Sequence, residues 1–422
     1  MPEGKNRIYF CIDMKSFFAS VECAERGLNP FEHNLVVADE SRGQGAITLA
    51  ISPKMKTLGI KNRCRLFEIP KNIDYIIAKP RMKKYIEYAG DIYEIYLNYL
   101  SPEDIHVYSI DESFLDVTDY INVNKIKPID FAKLLMGEIA KRVHIPSTAG
   151  IGTNLYLAKI ALDITAKKAK DNIGYLDQKT FQRTLWNHTP ITDFWGISKG
   201  TQKRLEKMHI TDMYGITLCP EKLLYKEFGI NAEILIDHAY GKEPCTIKDI
   251  KKYKTKSKSL SNSQILFSDY DYQKAKLALD EMVYALCQSL LSQHIICGGV
   301  SVGIGYSKDV LPSSGGSVKM ARATNVYSYI KKYTDKLYNQ FADKVAPIRK
   351  LSISFYNLLD ESLEGYDLFT DIYREQKEKK LERTVIAIKE KFGKNAMIKG
   401  MDLEEGATAQ IRNKLIGGHN GE

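Results

Sequence analysis

The first part of the chain mixes short apolar runs with segments of helical spacing. Residues 7–12 form an apolar run with β-branched and aromatic side chains, which predicts a buried strand. Small and apolar residues then recur at helical spacing over residues 16–25 and stop near Gly27. Asp13 lies between the two segments. The pattern therefore predicts a strand, a turn and a helix, with an acidic residue at the strand end.

Two further acids lie within the apolar run of residues 105–117. Asp111 and Glu112 are neighbours there, with apolar residues on both sides. Neighbouring side chains of a continuous strand point to opposite faces, so these two carboxylates can share one site only if the chain turns. We therefore predict a hairpin with its tip at residues 111 and 112.

The remaining pattern predicts a mixed α and β protein of several domains. Residues 31–79 are predicted to form a compact insertion, and residues 179–245 are predicted to form short helices. The other predicted elements are helices at 85–100, 131–143, 155–169 and 272–293, strands at 148–152, 264–267, 299–305 and 350–355, and a charged tail helix with Leu381, Val385, Ile388 and Phe392 on one face.

Length and composition place the chain among ordinary globular proteins. Its 422 residues suit two to four domains, and its composition is 44% hydrophobic and 27% charged. We expect an intracellular protein, because no long apolar run and no signal-peptide pattern occurs. The seven cysteines are scattered without a CxxC pair, which predicts buried thiols rather than a disulfide or zinc framework.

The charge balance is compatible with a phosphate-rich partner. Lys and Arg number 61 against 52 Asp and Glu, a net charge of +9, but many basic proteins bind no nucleic acid. Residues 246–258 concentrate six lysines with little apolar content, which predicts a basic linker.

Asp13, Asp111 and Glu112 are the candidate catalytic residues. Nucleotidyl transfer needs clustered carboxylates that hold two hard divalent cations, one to activate a hydroxyl and one to neutralise a triphosphate. Judged by position alone, a strand-end acid is a solvated side chain about twice as often as a catalytic one.

Two segments change that weighing. Residues 13–22 and 108–116 resemble, in order and separation, the paired signature motifs of the Y-family DNA polymerases, the error-tolerant translesion enzymes, near their UmuC-like and DinB-like bacterial branch. The resemblance implies that Asp13, Asp111 and Glu112 bind two Mg²⁺ ions, with Mn²⁺ able to substitute. It also implies that Met14 contributes a backbone carbonyl.

The resemblance further implies which residues contact the incoming nucleotide. Phe18 matches the steric gate, an aromatic ring that clashes with a ribose 2′-hydroxyl, and Phe17 beside it is expected to pack. Lys56 matches a basic residue that contacts the triphosphate. A second triphosphate lysine is Lys167 or Lys168, because one extra residue separates the pair from Asp163.

Three later segments resemble DNA-binding and partner-binding parts of the family. Residues 192–205 resemble a helix-hairpin-helix that contacts a DNA phosphate, and strands near 301–305 and 352–355 would face the DNA backbone. Residues 365–369 resemble a peptide that binds the bacterial sliding clamp. The implied contacts are Gly196, Ser198, Lys199 and Gly200 for DNA, and Leu368 and Phe369 for the clamp.

The implied architecture is an α+β multidomain right hand. Its domains are a palm (1–30 and 80–178), small fingers (31–79), a helical thumb (179–245), a basic linker (246–258), an α+β little finger (259–362) and a tail (363–422).

The implied function is low-fidelity, template-directed DNA synthesis across damaged bases, in DNA repair and SOS-type mutagenesis. Its partners would be primer–template DNA, deoxynucleoside triphosphates, the sliding clamp and an accessory subunit, without a membrane, in the cytoplasm near the nucleoid.

Two other classes stay open at this point. A DNA-binding scaffold would keep the fold without chemistry, although it has no need for three clustered carboxylates. Another two-metal enzyme, such as a nuclease or a nucleotidyl cyclase, would keep the carboxylates, but the helix-hairpin-helix disfavours a cyclase and Phe18 favours synthesis over cleavage.

Overall fold

The computed structural model describes residues 7–254, 259–368 and 370–421. The described chain divides into two compact units, and the boundary falls after residue 254, inside the predicted linker. The first unit contains, in chain order, β1 (Tyr9–Met14), α1 (Phe17–Ala24), β2 (Leu35–Val37), β3 (Ala50–Ile51), α2 (Pro53–Thr57), β4 (Ile76–Ala78), α3 (Met82–Leu97), β5 (Ile105–Val107), β6 (Glu112–Asp116), α4 (Thr118–Asn124), α5 (Pro128–Val143), β7 (Ser147–Gly152), α6 (Leu155–Ile160), β8 (Ile173–Leu176), α7 (Gln178–Leu185), α8 (Lys199–Glu206), α9 (Met213–Leu218), α10 (Glu221–Phe228), α11 (Asn231–Ala239) and α12 (Ile247–Lys252).

A five-stranded sheet forms the centre of the first unit. Its strand order is β5-β6-β1-β7-β8, with β1 antiparallel to both β6 and β7 and with β7 parallel to β8. Consecutive residues of β1 from Tyr9 to Ile12 are buried, so both faces of the sheet are covered. The strand, turn and helix predicted for residues 7–25 are confirmed as β1 and α1.

Two glycines let a helix lie directly on this sheet. A Cβ atom at Gly150 would lie 2.1 Å from the carbonyl oxygen of Ala158, and one at Gly152 would lie 2.1 Å from its nitrogen. Only glycine permits such an approach of α6 to β7. The helix predicted over 155–169 follows α6 only to Ile160 and continues as a π turn (Ala161–Thr165) and a 3₁₀ turn (Ala166–Lys168).

The insertion at residues 31–79 has its own sheet and core. Strands are ordered β3-β2-β4, and Val36, Ile51, Met55 and Leu66 pack in a separate hydrophobic cluster. The short helices expected for residues 179–245 are present as α7 to α11.

The start of the predicted linker is a docked helix instead. Thr246 caps α12 by accepting a hydrogen bond from the Asp249 N–H, and Ile247 is buried in a cluster with Tyr9 and Phe114. Ile250 packs against the same cluster, and the high lysine content of the segment hid both apolar contacts. Residues 255–258, with Lys256 and Lys258, lie outside the described residues.

The second unit is an antiparallel sheet with helices on one face. Its elements are β9 (Ser259–Tyr270), α13 (Tyr272–Ser292), β10 (Ile295–Tyr306), β11 (Ser314–Thr324), α14 (Tyr327–Phe341), β12 (Ile348–Asp360), α15 (Ile372–Phe392), α16 (Ala409–Asn413) and β13 (Leu415–Ile416), while the two-residue β14 (His419–Asn420) belongs to the first unit. The strand order is β11-β10-β12-β9, and β11 and α14 were not predicted.

The sheet face opposite the helices of the second unit carries small polar residues. Ser301 of β10 is paired with Ser317 and Ser354, and Ser354 is paired with Ser261, so four serines form a row across four strands. The apolar residues of the same strands, such as Val302 and Ile353, point to the helical face and are buried.

The apolar face predicted for the tail helix is wrong in part. Val385 of α15 is buried, but Leu381 and Phe392 are 62% and 68% exposed, whereas Lys379 and Glu382 are buried. The physical reason is a polar partner surface on α13: the Tyr284 hydroxyl donates to Glu382 over 2.7 Å, and the amide of Gln288 donates over 3.1 Å. A charged stripe, rather than an apolar one, therefore packs inward.

The end of the tail is also built into the second unit. The buried Glu281 of α13 accepts hydrogen bonds from the Thr408 N–H (2.8 Å), the Thr408 hydroxyl (2.7 Å) and the Ala409 N–H (3.0 Å) at the start of α16. Among the described residues, no helix is long and apolar enough to cross a membrane. All seven cysteines are free, and five of them are buried as predicted, whereas Cys219 and Cys245 are partly exposed.

Candidate active site

The pairing of β1 with β6 brings two of the predicted carboxylates to one end of the central sheet. Asp13 is opposite Glu112 in the register of the two strands. The turn between β5 and β6 occupies residues 108–111, so the predicted hairpin is present but Glu112 already begins a strand. Asp111 lies beside β1, because its carbonyl accepts a 2.9 Å hydrogen bond from the Met14 N–H.

The side chains of the hairpin are held by protein partners. The hydroxyl of Ser109 donates to Asp111 over 2.6 Å. Glu112 accepts from the Cys11 thiol on Oε1 (3.0 Å) and from the Lys159 ammonium on Oε2 (2.8 Å). Within the described residues, no three His, Cys, Asp or Glu side chains stand in an arrangement that could hold a metal ion. The three predicted residues are therefore neighbours, but their side chains do not yet converge.

The electrostatics of Asp13 indicate a place for a cation. Burial raises the pKa of this carboxyl, Asp111 and Glu112 raise it further, and Lys159 and Lys167 oppose the shift, so that the pKa is about 7. The ionised form of Asp13 is thus destabilised by burial and by two neighbouring carboxylates, and carboxylate oxygens are the hard donors that Mg²⁺ prefers. The donor chemistry of these carboxylates therefore fits a divalent cation.

Lys159 is a site residue that sequence reasoning missed. Burial acts to lower its pKa, but the charge and hydrogen bond of Glu112 raise it above the ordinary lysine value. Lys159 also lies 3.2 Å from Asp163, and Lys167 lies 3.6 Å from the same carboxylate, one helical turn apart in each case. Charged residues at positions i, i+4 and i+8 of a buried helix were the available signal.

Three lysines surround the carboxylates. Lys167 is close enough to Asp13 to lower its pKa, which favours it over Lys168 as the site lysine. Burial lowers the pKa of Lys56, with Asp13 opposing and Lys167 adding to the shift. Burial also lowers the pKa of Lys15, and Lys56 lowers it further. Lys15 was not predicted, although it lies within the first motif, two residues after Asp13.

The two phenylalanines of α1 have different surroundings. Phe17 is 3% exposed and packs in the core, as expected, whereas Phe18 is half-buried and stacks on Tyr85 with 4.5 Å between ring centroids. The Tyr85 hydroxyl donates to the buried Glu22 over 2.9 Å, and Arg81 pairs with that carboxylate at 2.9 Å. Phe18 therefore rests on a fixed aromatic platform.

Pro53 and Ser52 determine how Lys56 is presented. Pro53 occupies the first position of α2, which its fixed φ favours, and the Ser52 hydroxyl accepts a hydrogen bond from the Met55 N–H. This short helix carries Lys56 in its last turn.

The predicted DNA-binding turn is exposed in the first unit. Its first arm is only a 3₁₀ turn (Ile191–Asp193), and Gly196 has a φ of 90° that favours glycine. Ile197 anchors the turn in the helical core, and Ser198 caps α8. The four predicted contacts, Gly196, Ser198, Lys199 and Gly200, are all exposed.

Of the two predicted clamp-binding residues, Leu368 belongs to the second unit. Leu368 is 99% exposed. Phe369 lies outside the described residues.

The raised pKa of Asp13 predicts a pH-dependent cost of folding. With a folded pKa of about 7 against an ordinary value of 3.8, the cost is absent at low pH, grows as pH rises between these values and is complete above about pH 7. In a chelating buffer, Asp13→Asn should therefore raise Tm by several degrees at about pH 8, corresponding to about 2 kcal/mol, and by much less at about pH 5. Thermal unfolding monitored by circular dichroism measures the difference. Asp130→Asn, an exposed change on α5, is the control, and a gain independent of pH would contradict the assignment.

Comparisons with known proteins agree with the geometry. Residues 12–163 match the model of the impB/mucB/samB family, and residues 257–368 match its C-terminal domain. A Bacillus subtilis protein named for UV-damage repair, UvrX, is 32% identical over 416 residues, 97% of this chain and 96% of its own. DNA polymerase IV 2 of Bacillus subtilis is 30% identical over 425 residues, 98% of this chain and 99% of its own.

A solved structure has the same fold. It is a chimera of the Y-family DNA polymerases Dbh and Dpo4, with a TM-score of 0.63, 20% sequence identity and coverage of 84% of this chain and 99% of its own. The paired motifs, the end-to-end similarity to these relatives and the shared fold agree, and the chain therefore belongs to the Y family of DNA-directed DNA polymerases.

Proposed function

We propose that this polymerase adds deoxynucleotides opposite damaged template bases with low fidelity, by two-metal catalysis at Asp13, Asp111 and Glu112. The observation that carries the proposal is the clustering of these carboxylates at paired strand ends, where they raise the pKa of Asp13. When bound, two magnesium ions would activate the primer 3′-hydroxyl and neutralise the triphosphate.

The protein groups around the carboxylates have distinct tasks in this proposal. Lys159 orients Glu112 and balances its charge through their 2.8 Å contact. Lys15, Lys56 and Lys167 present ammonium groups to the triphosphate, and a lysine supplies point charge without the planar fork of an arginine. Phe18, supported by Tyr85, excludes a 2′-hydroxyl from the sugar position.

The surroundings of the site support synthesis on damaged DNA. The insertion at 31–79 contains three short strands and one five-residue helix, so little structure is available to close on a base pair. A loosely enclosed pair allows weak discrimination between bases and tolerance of a lesion. One relative, UvrX, is named for UV-damage repair.

DNA contacts would come from both units separately. The exposed Gly196 turn offers backbone N–H groups and Lys199 to a phosphate. The serine row of the second unit offers hydroxyl groups to the backbone without base-specific contacts. Five properties stay predictions from the resemblance: SOS-type regulation, a mutator effect, use of Mn²⁺, an accessory subunit and a cytoplasmic location near the nucleoid.

The sliding clamp is the proposed partner of the segment around Leu368. A leucine that is 99% exposed presents its full apolar surface to a partner pocket. It follows Tyr366, whose ring lies 5.8 Å from the guanidinium of the buried Arg322 and whose hydroxyl bonds to Glu364. The preceding segment is therefore anchored while Leu368 projects.

The carboxylate assignment predicts the effect of removing one charge. Asp111→Asn keeps an acceptor for Ser109 but loses the negative charge, and should lower single-nucleotide primer extension with Mg²⁺ by about a thousandfold. Ser109→Ala is the matched control, since it removes the hydrogen bond and keeps the charge, and should cost less than about tenfold. Extension that survives Asp111→Asn would sink the catalytic assignment.

The gate assignment predicts a change in sugar selectivity. Phe18→Ala removes the ring that would clash with a 2′-hydroxyl, so the preference for deoxynucleotides over ribonucleotides should fall by about tenfold to a hundredfold. Single-turnover incorporation of dATP and ATP opposite thymine measures the ratio. Phe17→Leu should lower Tm but leave the ratio unchanged, because Phe17 is buried. An unaltered ratio in Phe18→Ala would return Phe18 to a packing role.

The clamp proposal predicts a loss of binding without a loss of chemistry. Leu368→Ala should weaken affinity for a purified bacterial sliding clamp by about tenfold, because it removes apolar area from the contact. Extension without the clamp should not change. Leu363→Ala, at a residue that is 64% exposed in the same unit, is the control. Equal affinities of parent and Leu368→Ala in a titration calorimeter would exclude Leu368 from the contact.

A further inference from the structure

Trp195 connects two parts of the first unit to which the proposed function gives separate tasks. It directly precedes Gly196 in the turn expected to bind a DNA phosphate. Its indole Nε1 donates a 3.2 Å hydrogen bond to the Tyr108 hydroxyl, in the turn that carries Asp111. We propose that this contact, the indole link, positions the carboxylate hairpin when DNA engages the Gly196 turn; the inference rests on the proposed function.

The hairpin side of the link is short and closed. Tyr108 and Ser109 both donate their N–H groups to the Glu112 carbonyl over 3.0 Å, and the Ser109 hydroxyl binds Asp111. Asp111 in turn accepts from the Met14 N–H. Tyr108 and Ser109 are therefore both hydrogen-bonded to candidate metal ligands. A shift of Tyr108 would consequently move Asp111 and Glu112 with it.

The tryptophan has firm neighbours on its other sides. Its ring meets Tyr108 edge to face, with 5.9 Å between centroids, and lies 6.2 Å from the ring of Phe114 in β6. On the thumb side, it stacks at 6.3 Å with His238 of α11, which itself stacks at 3.9 Å on Tyr156 of α6. The indole is thus held between the helical region and the hairpin. A movement of the Gly196 turn would therefore displace the hairpin as well.

The position of the link distinguishes it from core packing. Tyr108 is 45% exposed and Trp195 is half-buried, so the hydrogen bond lies near the surface. Fold stability alone would require only an apolar neighbour for Trp195, such as Phe114. A directed bond from an indole N–H to a hydroxyl on another element also fixes orientation. Trp195 and Tyr108 are accordingly positioning residues, without contact to the reacting atoms.

A double-mutant cycle on the full chain tests the link. Trp195→Phe and Tyr108→Phe each remove one end of the hydrogen bond and keep an aromatic ring. At saturating primer–template and nucleotide, each should slow single-turnover insertion about fivefold, and the double variant should be no slower than either single one. The dissociation constant for primer–template should stay within about twofold of the parent value. A merely structural role would instead raise that constant or lower Tm without a coupled loss of rate.

Trp186→Phe is the matched control. Trp186 is the other of the two tryptophans in the chain, and its indole donates over 2.8 Å to the Ala239 carbonyl within the helical region. This change should leave the insertion rate unaltered. Parental rates in both Trp195→Phe and Tyr108→Phe, or losses that multiply in the double variant, would overturn the link.

Fluorescence gives a second measurement that does not depend on extension. In Trp186→Phe, Trp195 is the one remaining tryptophan, so its emission reports on the link alone. Primer–template should change this emission, and adding Tyr108→Phe should reduce the change at least about twofold. No response to bound DNA, or an equal response with both variants, would overturn the link. A parent that binds DNA but extends no primer would contradict the polymerase proposal instead, while this measurement still decides the link.

Discussion

The antiparallel pairing of β1 with β6 determines where the negative charges of the site lie, because Asp13 and Glu112 are register partners at one end of a buried sheet. Asp111 joins them through the Met14 hydrogen bond. Clustering three carboxylates at a partly buried site is unfavourable unless cations balance them, and the structure supplies Lys159 beside Glu112 and three further lysines around the site. The raised pKa of Asp13 reflects this electrostatic cost.

The placement of Lys159 depends on backbone packing. Gly150 and Gly152 let α6 approach β7 so closely that any side chain there would overlap the helix backbone. Lys159 consequently reaches across the sheet end to Glu112, and Asp163 one turn later reaches Lys167. Two residues without side chains thereby set the distance between a charged pair.

Local pattern was sufficient for the elements that carry the carboxylates. An apolar run, a turn requirement at Asp111 and Glu112 and helical spacing after Asp13 led to β1, the hairpin and α1. The hydrophobic pattern failed to predict elements whose buried positions are not marked by apolar side chains. Strand β11 is rich in glycine and serine and gives little apolar alternation, and α15 buries Lys379 and Glu382 against polar partners. Lys159 was passed over because its carboxylate partner is 47 residues away in the chain.

The hydrogen bonds from Thr408 and Ala409 to Glu281 have a consequence for how this protein can change over generations. Glu281 belongs to the long helix of the second unit, whereas its donors lie more than a hundred residues later. A recombination event that exchanged only the sheet and its helices, or only the tail, would leave the buried carboxylate of Glu281 without its hydrogen-bond donors. An exchange between related chains keeps this carboxylate satisfied only if α13 and the segment with Thr408 and Ala409 are exchanged together.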